Sequence, residues 1–189
     1  MLKPNKPRLK EKSPKKPSDK CYLLYNKAQR LISYRPRSES ELRLRLTLYV
    51  GKWKLEHSLV EEVLQILKEE NVIDDFKFAQ WWIEQRSEFS PRGKRMITAE
   101  LKAKGVDEEI IREAIALLHT GEIDIFGVKR EALDEKILAL GAAMKKQKMY
   151  KTEDKFTFEK KMVRYLVSRG FDYTISSEVT QELITINYE

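Results

Sequence analysis

Cysteine appears once in the 189 residues, as Cys21, which excludes an intramolecular disulfide and a cysteine-built metal cluster. Histidine is almost as scarce. His57 and His119 have no second ligand at zinc spacing, so no metal site is expected. Only 7 glycines and 6 prolines are present, against 35% charged residues, a balance that suits helices better than a loop-rich sheet protein. No apolar run approaches the ~20 residues of a membrane helix, and no apolar core follows the basic N-terminus as a signal peptide would require. The simplest home is a reducing cytoplasm. A glycine-rich phosphate loop, a Ser/His/Asp set and a metal-ligand pattern are all missing, so neither a catalytic site nor a cofactor is expected.

What is present in excess is positive charge, with a formal net charge of +7. Most of it is local. Residues 1–20 hold seven lysines and Arg8 against Glu11 and Asp19, together with four of the six prolines. So little apolar surface cannot offset ordering entropy, and a disordered tail is expected over 1–20. The remaining chain is nearly balanced, with 29 basic and 28 acidic residues.

Beyond the tail the chain reads as short amphipathic helices with capping residues. Ser18 or Asp19 caps a helix to about Tyr34, with Leu24, Ala28, Leu31 and Ile32 on one face. Pro36 stops it. Ser38 with Glu41 is a capping box opening a second helix, with Leu42 and Leu46 inward and Gly51 at its end. Ser58 with Glu61, or Glu56 by repeat register, opens a third with Leu59, Val60, Val63, Leu64 and Leu67 inward. Asp74 or Asp75 caps a fourth to about Glu88, burying Phe76, Ala79, Trp82 and Ile83. Ser90-Pro91 starts a fifth that buries Ile97 and Leu101 and ends at Gly105. Asp107 caps a sixth carrying Ile110, Ile111, Ala114, Ile115 and Leu118. After a linker at Gly121–Gly127, a seventh runs from about Lys129 to Lys146, with Leu133, Ile137, Leu140 and Met144 aligned. An eighth covers Lys155–Arg169 through Phe158, Met162, Val163 and Leu166. Gly170 ends it, and Asp172 caps the last, through Ile175, Val179 and Leu183.

These elements repeat. Ala28, Gln29, Ile32 and Arg35 recur as Ala79, Gln80, Ile83 and Arg86. Leu101, Gly105, Asp107, Ile110, Ala114 and Leu118 recur 65 residues later as Leu166, Gly170, Asp172, Ile175, Val179 and Leu183. The expected class is all-α: three tandem three-helix repeats at 21–72, 73–120 and 121–189, stacked as an array. The first repeat departs at Gly51 to Glu56, three residues longer than Gly105 to Asp107. Each middle region is basic, at +4 over 35–54, 91–104 and 155–169, and each last helix is acidic, at −3, −3 and −4 over 58–70, 107–119 and 172–189. Two arrangements fit: a basic side that recruits anions, or oppositely charged helices that pair within the array.

Several residues invite chemistry that simpler roles explain. Asp74 and Asp75 suit a helix start, where negative charge meets the dipole. Trp81 and Trp82 cannot both face inward, and packing between repeats accounts for one better than a platform for bases. Cys21 reads as a small core residue. The run Ser90-Pro-Arg-Gly-Lys-Arg95 differs, because Arg92, Lys94 and Arg95 crowd a helix start that disfavours cations. An anionic partner would explain the cost, and Lys102 and Lys104 extend the stripe.

The segment Asp74-Asp-Phe-Lys-Phe-Ala79, Arg86, Gly93-Lys-Arg95 and Leu101-Lys-Ala-Lys-Gly105-Val-Asp-Glu-Glu resembles the RecX family of regulatory proteins. Leu31-Ile-Ser-Tyr-Arg-Pro-Arg-Ser38 with Glu41-Leu42 resembles that family's first unit, and Arg164-Tyr-Leu-Val-Ser-Arg-Gly-Phe-Asp172 its closing one. The resemblance covers about residues 22–185. It implies an elongated, curved, non-enzymatic array without a cofactor. The array would bind the groove of the RecA recombinase–DNA filament and limit its growth, ATPase, strand exchange and coprotease activity. By position, Arg35, Arg37, Arg92, Lys94, Arg95, Lys102 and Lys104 would face the filament or its single- or double-stranded DNA. A monomer suits polar array ends. The other reading is a free-standing, non-sequence-specific DNA-binding helical protein, for which a basic face suffices.

Overall fold

The computed structural model describes residues 18–120, 134–150 and 154–188. Among the described residues every regular element is an α-helix: α1 Asp19–Tyr34, α2 Glu39–Trp53, α3 Ser58–Glu69, α4 Asp75–Phe89, α5 Lys94–Ala103, α6 Glu108–Thr120, α7 Glu135–Gln147, α8 Lys155–Ser168 and α9 Tyr173–Tyr188. Ser18 Oγ accepts the Cys21 N–H and settles the first cap, so Asp19 and Lys20 belong to α1, behind the Ser18 cap, rather than to the basic tail. The rest of that tail, the Gly121–Gly127 linker, the expected start at Lys129 and the inward position of Leu133 lie outside the described residues.

The helices sort into three bundles in chain order, each with its own apolar cluster. The first is Leu24, Ala28, Leu42, Leu46, Val63, Leu67 and their neighbours. The second centres on Phe78, Ala79, Ile97, Leu101 and Ile111. The third is built from Ala142, Phe158, Met162, Leu166, Val179 and Leu183. Cys21 is fully buried in the first cluster, where burial, reinforced by the Glu62 carboxylate, pushes its thiol up to about 11. The thiol therefore stays protonated at neutral pH.

Packing corrects the sequence at several places. In α4 the core aromatic is Phe78, while Phe76 and Trp82 are only half-buried. In α7 the inward face is Ala139, Ala142 and Ala143, and Ile137 and Met144 are exposed. Periodicity favoured the larger residues, but α7 packs against both α8 and α9, and small side chains let it approach them. No side chain caps α3. His57 occupies that position in helical geometry, and backbone carbonyls of Glu56 and His57 take the first N–H groups. Helix α5 begins at Lys94 behind Gly93, not at Ser90-Pro91, so Arg92 precedes the helix.

The most informative correction concerns Gly51. It sits inside α2, and the residue that ends the helix is Lys54, in the left-handed region at φ 53°. The three middle helices close the same way: Leu55 N–H donates to Val50 O, Val106 N–H to Leu101 O and Phe171 N–H to Leu166 O. This is the backbone pattern of a left-handed helix stop. Lys54 is therefore the counterpart of Gly105 and Gly170, whose φ values are 74° and 91°. With Lys54 in that role the apparent three-residue insertion disappears, and repeats one and two keep a single spacing of 51 residues from Ala28/Ala79 to Leu64/Ile115.

Candidate partner-binding surface

The bundles meet through the ends of their middle helices. The C-terminus of α8 abuts the N-terminus of α5, where Gly93 N–H donates to Arg169 O at 3.1 Å. The C-terminus of α5 in turn abuts the N-terminus of α2, where Ser38 Oγ donates to Lys104 O at 2.6 Å. Positive-φ glycines make both approaches possible. A Cβ on Gly105 would lie 2.4 Å from Ser40 Cβ, and one on Gly170 would lie 2.5 Å from Met96 N. The three basic segments thus follow one another as a column, α8 to α5 to α2.

This arrangement changes the meaning of the cations at the start of α5. The negative end of α8 lies against that start: Arg95 Nη2 donates to Val167 O at 2.7 Å, and Glu135 accepts the Lys94 N–H at 3.1 Å. The dipole penalty is offset inside the fold, so it does not by itself call for an anionic partner.

Each of the seven residues singled out by sequence has a definite place. Arg35 makes a two-pronged pair with Glu41, both contacts at 3.0 Å, and Lys104 Nζ reaches the same carboxylate at 2.9 Å across the repeat boundary. Glu41 loses solvation there, which raises its pKa, but hydrogen bonds from Arg35 and Lys104 outweigh this and hold the carboxyl below its ordinary value. Arg37 donates to Leu31 O at 2.9 Å, and burial first and Arg35 next lower its pKa. Arg92 Nε lies 3.0 Å from Glu100 Oε1, close enough for an ion pair but not aligned as a hydrogen bond. Lys102 pairs with Glu108 at 2.9 Å on the surface. Lys94 and Arg95 are exposed, and Lys94 has no carboxylate on its ammonium among the described residues. The structure therefore brings Arg35 and Lys104 together at the first boundary and puts Lys94, Arg95 and Lys102 on open surface.

Glu41 and Glu100 organise this region; the sequence reading took Glu41 only as the capping-box partner of Ser38, whereas its carboxylate serves Arg35 and Lys104, and it passed over Glu100. Glu100 accepts from Trp82 Nε1 at 2.8 Å and Arg86 Nε at 2.7 Å, besides its ion pair with Arg92. It is the sole carboxylate in the basic segment 91–104, and that isolation was the available signal. Trp82 also carries Lys104 Nζ and Arg86 Cζ at 4.0 and 4.3 Å from its ring centre, a desolvated cation–π arrangement. Trp81 lines a cleft of about 280 Å³ between the first two bundles, with Ile32, Pro36, Arg37 and Val72. Trp81 thus packs between repeats, as expected of one of the pair, while Trp82 is held within the second bundle by Glu100, Arg86, Lys104 and Phe78. Asp75 Oδ1 accepts the Glu39 N–H there at 2.8 Å, and burial raises its pKa, with Glu39 and Asp74 adding to the effect.

Comparison with known proteins adds the following. A family model described as RecX, second three-helix domain, matches residues 74–115. Regulatory protein RecX of Corynebacterium efficiens is 31% identical over 159 residues, covering 82% of this chain and 68% of that protein. Regulatory protein RecX of Clostridium perfringens strain 13 is 27% identical over 165 residues, covering 86% and 69%. The crystal structure of RecX from Lactobacillus salivarius superposes with a TM-score of 0.66 at 22% identity, covering 88% of this chain and 98% of that one. Among the described residues no helix is long and apolar enough to cross a membrane.

Proposed function

Because the chain belongs to the RecX family of regulatory proteins, we propose that it binds the RecA recombinase–DNA filament and limits filament extension and the activities that depend on it. The reading rests on one observation: the likeness extends across all three bundles rather than over one helical domain alone. A regulator of this kind needs no reacting group. It acts by occupying a surface, and its effect equals the difference in its affinity for permissive and arrested filament states. The array acts as a monomer in the cytoplasm, without cofactor, and works in recombination and DNA repair.

The seven basic residues divide by what already holds them. Lys94, Arg95 and Lys102 form the contact surface. Arg35 and Lys104 shape it by sharing Glu41 at the first boundary, and Arg37 and Arg92 brace their own bundles through Leu31 O and Glu100. Titrating the protein into RecA on single-stranded DNA should suppress ATP hydrolysis at sub-stoichiometric or equimolar ratios. Unchanged hydrolysis at those ratios, alongside tight DNA binding by this protein alone, would replace this reading with that of a free-standing DNA-binding protein. Lys94→Glu with Lys102→Glu should weaken filament binding without lowering the melting temperature. Equal filament affinity in that variant would move the contact surface elsewhere.

A further inference from the structure

Among the described residues four polar side chains are buried, and Gln80 alone of them keeps an acceptor with no hydrogen bond, its Oε1, at 3% residue exposure. A buried acceptor left without a donor carries its full desolvation cost. The first bundle shows what is missing. Gln29 holds the same place there, 51 residues earlier, and its Nε2 donates to the Tyr25 hydroxyl at 2.7 Å. Tyr25 in turn donates to Glu70 at 2.6 Å. At the position of Tyr25 the second bundle has Phe76, so the hydroxyl that answers the amide in one bundle is absent from the other.

Gln80 lines the cleft of about 280 Å³ between the first two bundles, together with Trp81, Phe78, Ile32 and Val72. That volume lies just below the range of about 300–1,000 Å³ usual for small-molecule sites, and it suits one ring with short substituents. Arg37 is the cation of this lining with capacity left for a ligand. Its Nε donates to Leu31 O at 2.9 Å, and among the described residues no carboxylate pairs with it, since Glu41 is held by Arg35 and Lys104. The other charged groups of the lining are engaged. Asp74 accepts the Phe76 and Lys77 N–H groups, Lys77 Nζ lies 3.9 Å from Asp74, and Glu84 is not free.

We propose that this cleft binds a small phenolic acid, with its ring against Trp81, its hydroxyl on the Gln80 amide and its carboxylate on Arg37. A hydroxyl both donates and accepts, so it answers either end of an amide, and a phenol is the group that answers Gln29. The aromatic lining favours a flat ring, and a guanidinium takes a carboxylate in paired geometry. A plain apolar ligand would leave the amide unanswered, and a polyol would leave Trp81 and Val72 uncovered. Ile32 and Arg37 belong to the first bundle and Gln80 and Trp81 to the second, so the ligand braces one against the other. The proposal does not rest on the RecA reading, because Lys94, Arg95 and Lys102 lie outside the cleft.

The test is isothermal titration calorimetry on the full chain. It compares para-hydroxyphenylpropionate with phenylpropionate, which lacks the hydroxyl, and para-ethylphenol, which lacks the carboxylate. The phenolic acid should bind roughly ten-fold tighter than either. Gln80→Leu should bring it down to the level of phenylpropionate, and Arg37→Gln to that of para-ethylphenol. Phe76→Tyr supplies a hydroxyl from within, as Tyr25 does, so it should raise the melting temperature and remove the advantage of the ligand's own hydroxyl. Circular dichroism melts on each variant separate loss of binding from loss of fold. No heat of binding at millimolar phenolic acid, equal affinity for phenylpropionate, or an unchanged hydroxyl advantage in Gln80→Leu would each overturn the assignment. A peptide ending in tyrosine that binds where the free acid does not would also overturn it, in favour of a protein terminus. Suppression of RecA hydrolysis by the unliganded protein survives any of these results, so the two readings fall separately.

Discussion

The two boundaries between bundles solve one problem with different chemistry. At the first, α5 meets α2 through side chains: Glu41 gathers Arg35 and Lys104, Asp75 accepts the Glu39 N–H, and the Ser38 hydroxyl donates to the Lys104 carbonyl. At the second, α8 meets α5 largely through backbone: Gly93 lies against Gly170, and Gly93 N–H bonds to Arg169 O. Among the described residues, side chains add Arg95 to Val167 O, Arg169 to Ser90 Oγ, Lys145 to Glu88 O and the Glu135 carboxylate that accepts the Lys94 N–H, each bonded to backbone or a hydroxyl rather than to an opposite charge. The difference teaches that the repeat conserves a placement of helix ends, while its contacts are free to vary. A boundary of charged side chains can respond to pH and salt. One of backbone contacts responds mainly to added volume.

Volume should give the largest effect. A Cβ on Gly93 would lie 2.3 Å from Gly170 C and O and 2.4 Å from Phe171 N, and backbone cannot rotate away as a side-chain tip can. Gly93→Ala should cost about 2–4 kcal/mol. In an array where each unit contacts only its neighbours, the loss should concentrate at the second boundary. Hydrogen exchange should accelerate at Gly93, Met96 and Phe171 and stay slow at Leu42 and Leu46. A melting temperature within a degree of the parent would refute the backbone-contact account.

Charge should give the next effect, at the first boundary. Glu41→Ala leaves Arg35 and Lys104 facing each other without their shared carboxylate. The site is partly solvated, so the cost should be about 1–2 kcal/mol rather than that of a fully buried pair. Urea denaturation measures it, and the loss should shrink as salt rises. The Gly93→Ala cost should not. Equal salt dependence of the two losses would erase the distinction between the boundaries.

Much of this fold could be read from sequence because capping residues and 3.6-residue periodicity act locally. Ser38, Asp74, Asp107 and Asp172 each cap where their side chains allow. What could not be read depends on neighbours. The alanines of α7 are inward because two helices crowd them, and no pattern of large residues marks that. The cations of Arg92–Arg95 are visible, but the α8 carbonyl that receives Arg95, that of Val167, lies 72 residues away. The same holds for Glu41, whose partner Lys104 is 63 residues distant.

The pH response sharpens the comparison further, with two groups of opposite sign. Glu41 has a folded pKa held below its unfolded value, so its contribution is present above the unfolded pKa, near 4.3, and is lost as pH falls through the folded one. Asp75 has a raised folded pKa, so its ionised form costs stability at neutral pH, and protonation as pH falls relieves that cost. Asp75→Asn keeps an acceptor for the Glu39 N–H and removes the charge. It should be more stable than the parent at pH 7, with the gain vanishing as pH falls through the folded pKa of Asp75. Denaturation at pH 7 and pH 4 measures both. A variant less stable at pH 7 would mean that the carboxylate's attraction to the start of α4 outweighs its burial.

The smallest effect belongs to the end of α2, which meets no other bundle among the described residues. Lys54 holds the left-handed conformation that Gly105 and Gly170 hold elsewhere, yet it is exposed, and among the described residues no further bundle closes on it. At the two boundaries glycine supplies both the backbone conformation and the space for the neighbour. At the end of α2 only the conformation is required, so a side chain is tolerated at the cost of some strain. Terminal repeats of stacked arrays differ from internal ones in this way, because their outer face meets water. Lys54→Gly should therefore stabilise by about 0.5 kcal/mol, the relief of strain partly cancelled by the greater freedom of the unfolded chain. The reciprocal change, Gly105→Lys, should destabilise far more, since its Cβ would strike Ser40. A chemical melt of each decides the matter: equal effects at the two sites would show that conformation alone, and not the neighbouring bundle, selects glycine there.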